Sequence, residues 1–224
     1  MSNAADQRPL WMAKAGAAIM APLALFVMFE AQQAFRADRA SALAAARLER
    51  WIAADATGVD EDRYAQALSN LQRSLDILPD NPNTLARLGD LYTALGQRAW
   101  ADLPERTQAF SQASQHYKLA LQIRPIDAGT WAALAAALQA MGATRPEVHA
   151  AWSKAMAQGP FEGYVQPVLL QLALADWAGA SDDMQLWAST LYRDSNPTTR
   201  KQINAMAARY GLKFESDTEP DAKP

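Results

Sequence analysis

Apolar positions along this chain follow two regimes. Residues 15–29 (AGAAIMAPLALFVMF) form an apolar run without a charge, in which every side of a helix would be hydrophobic. Beyond residue 60 the apolar positions recur at three- and four-residue spacing between polar ones, the period of a helix with one buried face. Helix punctuation in this second part is regular. Asp60 is placed to cap a helix that Pro79 stops, and Asn81-Pro82 opens the next, which Gly96 is expected to close. Pro104 opens a helix ended by Pro125. Asp127 caps one ended by Gly142, and Thr144 with Glu147 makes a capping box for a helix stopped by Gly159-Pro160. Residues 164–177 are very apolar and should be buried, and Ser181 and Asn196-Pro197 start two closing helices.

The apolar run, extended back to Leu10, reaches the roughly 20 residues that a bilayer crossing needs. Lys14 can reach toward head groups, Trp11 suits the interface, and Pro22 kinks a helix in lipid without ending it. A cleavable signal peptide is the alternative. Glu30 and Phe35 stand where its cleavage site wants small residues, which favours an uncleaved anchor. A buried core helix fits less well, because the run has no polar face. The short N-terminal side fits an anchor whose start stays inside and whose remainder is exported. Segment 30–57 is rich in Ala, Leu, Arg and Glu without Gly or Pro, so the helix is expected to continue as a stalk ending at Gly58.

Composition narrows the chemistry. With 224 residues and no cysteine, disulfides, thiolate catalysis and cysteine-held metals are excluded. Two histidines, His116 and His149, leave little for a metal site, and none is expected. A net charge of −3 argues against nucleic acid as a partner. Alanine is abundant and Val and Ile are scarce, which favours helix and an all-α fold. No phosphate-cradling glycine loop, no H-E-x-x-H and no G-x-S-x-G is present, so neither an enzyme nor a bound cofactor is expected. Glu61, Asp62, Glu105 and Asp182-Asp183 fall in first helical turns, where carboxylates complement the helix dipole. Trp131, Trp152, Trp177 and Trp187 fall on apolar helix faces, so core packing is favoured over stacking on sugars.

The punctuation also repeats. Leu85, Leu88, Gly89, Tyr92 and Gly96 precede Ala113, Tyr117, Ala120 and Pro125. Trp131, Leu134, Ala135, Leu138 and Gly142 precede Val148, Trp152, Ala155 and Pro160, and Ala67, Leu71, Ser74 and Pro79 form a half copy ahead of both. This resembles the tetratricopeptide repeat, W-x2-L-G-x2-Y followed by A-x3-F-x2-A-x4-P, over roughly residues 60–160. Small residues at Gly89, Ala113, Ala120, Ala135 and Ala155 would let paired helices approach, and large ones at Leu85, Tyr92, Tyr117, Trp131 and Trp152 would fill the gaps. The resemblance implies a short right-handed α-solenoid whose concave face binds partners. Carried over by position, that groove presents Asn83, Ala86, Asp90, Thr93 and Ala94, then Gly129, Ala132, Ala136, Gln139 and Ala140. The Lys and Asn that clamp a terminal carboxylate in chaperone-binding members are absent, and Asp90 would repel one. An Ala-lined groove instead accepts a helix or apolar segment, unless the chain's own 164–177 helix fills it. An insertion between Gly96 and Ala113 is expected to form a knob carrying Arg98, Trp100 and Leu103, with Trp100 as an interface anchor.

A narrower likeness lies in the order of features. An anchor is followed by LxxLxxSLxxxP at residues 68–79, R-P-x-D-x-x-T-W-A-x-L-A at 124–135 and AMAQGPFEGYVQ at 155–166. This is similar to the VpsP-type exopolysaccharide biosynthesis proteins of Gram-negative bacteria, which usually carry Trp and Pro around the glutamate where this chain has Phe161 and Gly163. The resemblance implies a scaffold in an envelope polysaccharide complex, with protein partners, a single-pass inner-membrane anchor and a periplasmic domain. An assembly factor of a pilus or secretion system, or a glycan-binding module, are the alternatives. The expected organisation is a tail (1–9), a transmembrane anchor (10–29), a helical stalk (30–58), a TPR-like domain (59–211) and a disordered acidic tail (212–224).

Overall fold

The computed structural model describes residues 27–29, 31–33, 35–36, 61–99 and 102–214. The described chain is helical throughout, without strands, as the composition predicts. Its helices are α1 (Glu61–Ile77), α2 (Pro82–Arg98), α3 (Leu103–Ile123), α4 (Ala128–Ala140), α5 (Arg145–Gln158), α6 (Val165–Ala175), α7 (Asp182–Asp194) and α8 (Pro197–Ala208), with a single tight turn at Trp177–Gly179 before α7. Among the described residues no helix is long and apolar enough to cross a membrane. The expected anchor (10–29) and stalk (30–58) lie almost wholly outside them; residues 27–29, 31–33 and 35–36 are helical, and Val27, Met28, Phe29 and Phe35 are exposed.

The chain divides into two compact units, with the boundary between Thr84 and Leu85, inside α2. In the first, α1 buries Ala67, Leu71 and Ser74 at the half-repeat positions. The Ser74 hydroxyl meets that of Thr84 at 2.8 Å, so neither buried oxygen is left without a partner. The Asn81 side chain accepts from the backbone N–H groups of Asn83 (3.0 Å) and Thr84 (3.2 Å), satisfying two donors at the start of α2.

The second unit runs from Leu85 through α8. Its helix starts follow side-chain caps read from the sequence. Asp127 accepts from the Thr130 N–H at 2.9 Å, Ser181 from Met184 at 3.4 Å and Asn196 from Thr199 at 2.9 Å. Thr144 and Glu147 form the capping box, the Thr144 N–H donating to Glu147 Oε2 at 3.1 Å. Gly142 ends α4 in the left-handed region at φ 78°, and the Ala143 N–H reaches back to the Leu138 carbonyl at 2.9 Å.

Helix α4 (AGTWAALAAALQA) packs against α3, α5 and α6 at once. Its surface is small and apolar on most sides, with Ala132, Ala135 and Ala137 buried, so three neighbours can approach it closely. Trp152 of α5 is buried, donates its Nε1–H to the Leu169 carbonyl at 3.1 Å, and meets Trp187 of α7 edge-on at 5.7 Å. Helices α7 and α8 close the unit through Met184, Ala188, Tyr192, Ile203 and Ala207.

Three expectations about boundaries and burial need correction. Gly96 does not close α2, which continues to Arg98; a Cβ at Gly96 would lie 2.9 Å from the Phe110 ring, so the glycine makes room for an aromatic of α3. The folded part extends past residue 211: the Phe214 ring meets Trp177 edge-on at 5.5 Å and stacks on Tyr192 at 5.1 Å, and its N–H donates to Asn204 Oδ1 at 3.3 Å. Trp131, expected to fill the core, is partly buried at its edge and donates Nε1–H to the Pro125 carbonyl at 2.8 Å.

Candidate functional site

A trough of about 930 Å³ runs along α2, α4 and α6 in the second unit. Helix α2 contributes Asp90, Thr93 and Gln97, α4 contributes Ala136, Gln139 and Ala140, and α6 contributes Val168, Gln171 and Leu172. A smaller hollow of about 310 Å³ shares Asp90, Tyr117, Ala133 and Val168 with it and is bounded by Ala86, Gly129, Ala132 and Tyr164. The expected groove residues Ala86, Asp90, Thr93, Ala132, Ala136 and Gln139 therefore line one connected surface. Asn83 does not join them; it lies in the first unit, in the opening turn of α2. Ala94 is buried.

The apolar 164–177 segment does not fill the trough. Its helix α6 stands beside α4, with Gln139 Nε2 at 3.5 Å from the Leu172 carbonyl, and becomes a further wall. Tyr164 bounds the smaller hollow, its ring lying over the start of α4 where Gly129 has no side chain. The neighbouring Glu162 carboxylate pushes the Tyr164 phenol up to about 12.

The polar centre of the trough is the Tyr117 phenol. Its O–H donates to Asp90 Oδ1 at 2.8 Å, and Thr93 Oγ1 lies 3.1 Å away. Burial raises the Asp90 carboxyl above its ordinary value, against the lowering effects of the Tyr117 hydrogen bond and the Arg87 charge. Burial and the Asp90 charge drive the Tyr117 phenol well above its own. At the other end Arg145 and Asp176 make a two-point ion pair, Nε–Oδ2 at 2.7 Å and Nη2–Oδ1 at 3.1 Å. The trough thus combines short apolar walls at Ala133, Ala136, Ala140 and Val168 with two polar pairs, Asp90–Tyr117 and Arg145–Asp176.

Of the expected knob, Arg98 ends α2 and Leu103 begins α3, where it is exposed beside a shallow hollow with Pro104 and Thr107. Trp100 lies outside the described residues. His116 stacks on Tyr92 at 5.4 Å, and burial lowers its pKa; it packs between helices, away from the trough. Among the described residues no cluster of His, Asp or Glu is grouped to hold a metal ion.

Sequence reasoning missed Tyr117 as a trough residue, since its ring was assigned to gap filling; the ring fills the gap and the hydroxyl at its far end reaches the trough. It also missed Val168 and Leu172. Their i, i+4 spacing after Val165 was a usable signal, hidden because the repeat pattern fades after Pro160. Comparison of the chain with protein-family models, curated proteins and solved structures gave no match.

Proposed function

We propose that this chain is a membrane-anchored scaffold of an envelope complex, built as a TPR-like right-handed α-solenoid, and that it works by docking a partner segment in the trough along α2, α4 and α6. The observation that carries this reading is the trough itself. Helices α2 to α7 of the second unit all contribute to it, and its walls include Ala133, Ala136, Ala140 and Val168, short enough for a partner helix to lie close against the backbone there, beside larger side chains such as Phe110, His149 and Gln171. The repeat spacing and the close approaches at Gly89 and Gly96 support the solenoid. The polysaccharide context, the single-pass inner-membrane anchor at 10–29 and the periplasmic placement rest on the sequence alone, on the charge-free run and the VpsP-type order of motifs. An anchor of this kind would confine the search for partners to the membrane plane and raise their effective concentration.

The test is a photo-cross-linking amino acid placed at Gln139 in the trough, and at Lys201 on α8 as control, in the full chain in its native cell. The proposal expects adducts from position 139, absent from 201, with a polysaccharide glycosyltransferase or export component. Pilus or secretion components in their place would move the chain to that other assembly. Adducts at neither position, or equal ones at both, would overturn the trough as the docking surface.

A further inference from the structure

Helix α4 has a second apolar face. Ala133, Ala136 and Ala140 look into the trough, whereas Trp131, Leu134 and Leu138, at i, i+3 and i+7, line a separate slot of about 470 Å³. The slot lies between α3, α4 and α5, and its volume falls in the range of small-molecule sites, roughly 300–1,000 Å³. Leu121, Leu134, Leu138 and Ala151 are buried side chains that still border open space, so the slot has an apolar floor. The Trp131 Nε1–H is taken up by the Pro125 carbonyl, which leaves the indole to offer its apolar surface.

The rim is charged in a specific way. Lys118 stands on the α3 bank and Lys154 on the α5 bank, both exposed. Neither lies within the 4.0 Å of a carboxylate that an ion pair requires, among the described residues. The rim carboxylate, Glu147, is engaged in the α5 cap, its Oε2 accepting from the Thr144 N–H at 3.1 Å and the Thr144 hydroxyl at 2.7 Å. Two ammonium groups outside any ion pair among the described residues therefore stand one on each bank of a hydrocarbon-lined slot, with the Glu147 carboxylate within electrostatic reach of Lys118.

We propose that this slot binds a single-chain anionic amphiphile, with its alkyl chain on Leu121, Leu134, Leu138 and Trp131 and its head group between Lys118 and Lys154. A free anion would make no use of the apolar floor. A neutral apolar group would make no use of the two ammonium groups. The amphiphile satisfies both, and lysine stems can lie along its chain while their heads hold its charge. This site is on the opposite face of α4 from the trough, and the inference does not depend on the docking role proposed above.

The experiment titrates the full-length protein with dodecyl phosphate below its micelle-forming concentration and follows tryptophan fluorescence, with dodecyl maltoside and inorganic phosphate as comparison probes. The expected result is a saturable response to dodecyl phosphate, absent in Trp131→Phe, with at least about tenfold weaker binding of the maltoside and none of phosphate. Lys118→Glu with Lys154→Glu, both at exposed positions, should weaken dodecyl phosphate by about tenfold or more while leaving the far-ultraviolet dichroism unchanged. Ala150→Trp, also exposed, should block the slot. Equal affinity for the maltoside, unchanged affinity in the double lysine variant, or a response that never saturates would each overturn the proposal.

Discussion

Gly89 of α2 lies directly under the Tyr117 ring of α3: a Cβ there would overlap the ring atoms Cε1 and Cδ1. The absence of that one carbon lets the ring pass across α2 and deliver its hydroxyl to Asp90, one residue further on, at 2.8 Å. A repeat-type small position and a polar contact in the trough are thus one arrangement. The glycine is not there for a turn; it sits inside a helix, where it costs about 1 kcal/mol relative to alanine, and the buried tyrosine offsets that cost.

Gly89→Ala should therefore destabilise the protein, by about 1–3 kcal/mol of overpacking, despite alanine's better helix propensity. The overlap is with the side of a ring packed at 1% exposure, which has no free space to swing into. In a Tyr117→Leu background the same substitution should cost much less, or stabilise. Urea unfolding of the two single variants and the double variant measures this coupling; additive effects would show that the ring and the glycine do not meet.

Asp90 gives a pH dependence of unusual sign. Burial holds its folded-state carboxyl above the ordinary value of 3.8, so the folded protein binds the proton more tightly than the unfolded chain does. Ionisation of this group then opposes folding, and its contribution to stability improves as pH falls through the raised value, levelling off below 3.8. Asp90→Asn keeps an oxygen to accept from the Tyr117 hydroxyl and removes the buried charge. It should be neutral to about 1 kcal/mol more stable at pH 7, with the advantage closing on acidification. A variant less stable than wild type at pH 7, with the gap unchanged at pH 4, would contradict this account.

Helix starts were the most legible part of the fold, because a cap is local: Asp127, Ser181 and Asn196 each accept from a backbone N–H three residues on, Glu147 accepts from that of Thr144, and sequence order suffices to find them. Gly96 was misleading for the converse reason. Its role is set by Phe110, across a connection that the sequence reads as an insertion, and no local pattern distinguishes a packing glycine from a terminating one. The trough residues on α2 and α4 were found from repeat register. Those on α6 were lost where the register faded, although Val168 and Leu172 occupy the equivalent face. Phe214 was hidden by the charge around it: Lys213, Glu215 and Asp217 give the segment the composition of a solvated tail, while the single ring carries the contacts.

Glu147 should behave oppositely to Asp90. The Thr144 hydroxyl and N–H both bond its carboxylate and hold it below its ordinary value of 4.5. Its stabilising contribution is fully present above 4.5 and is lost as pH falls through the lower folded-state value. Glu147→Gln should destabilise α5 at neutral pH and become indistinguishable from wild type in acid. Thermal unfolding of both proteins between pH 7 and pH 3 checks the convergence, and a constant difference across that range would remove the charge from the explanation.

Phe214→Ala tests whether the end of the folded unit is held by one ring. Phe214 lies between Trp177, in the turn after α6, and Tyr192 on α7, and its backbone N–H is taken by Asn204 on α8, so it adds a tie among three elements that also pack and hydrogen-bond directly, Gln185 to the Trp177 carbonyl and Arg200 to the Tyr192 carbonyl. The ring is partly buried, so its removal should cost about 1–2 kcal/mol, less than a core phenylalanine. The loss should be local. Amide exchange should accelerate in α7, α8 and the Trp177 turn, which carry the Phe214 ring contacts and hydrogen bond, while α3 and α4 keep their protection. Tyr192 has a second tether, the Asn204 side-chain amide at 3.1 Å from its hydroxyl, so α7 and α8 should loosen together and remain helical. Uniform acceleration across α3 to α8 would mean that the second unit opens as a whole and that Phe214 is part of its main core.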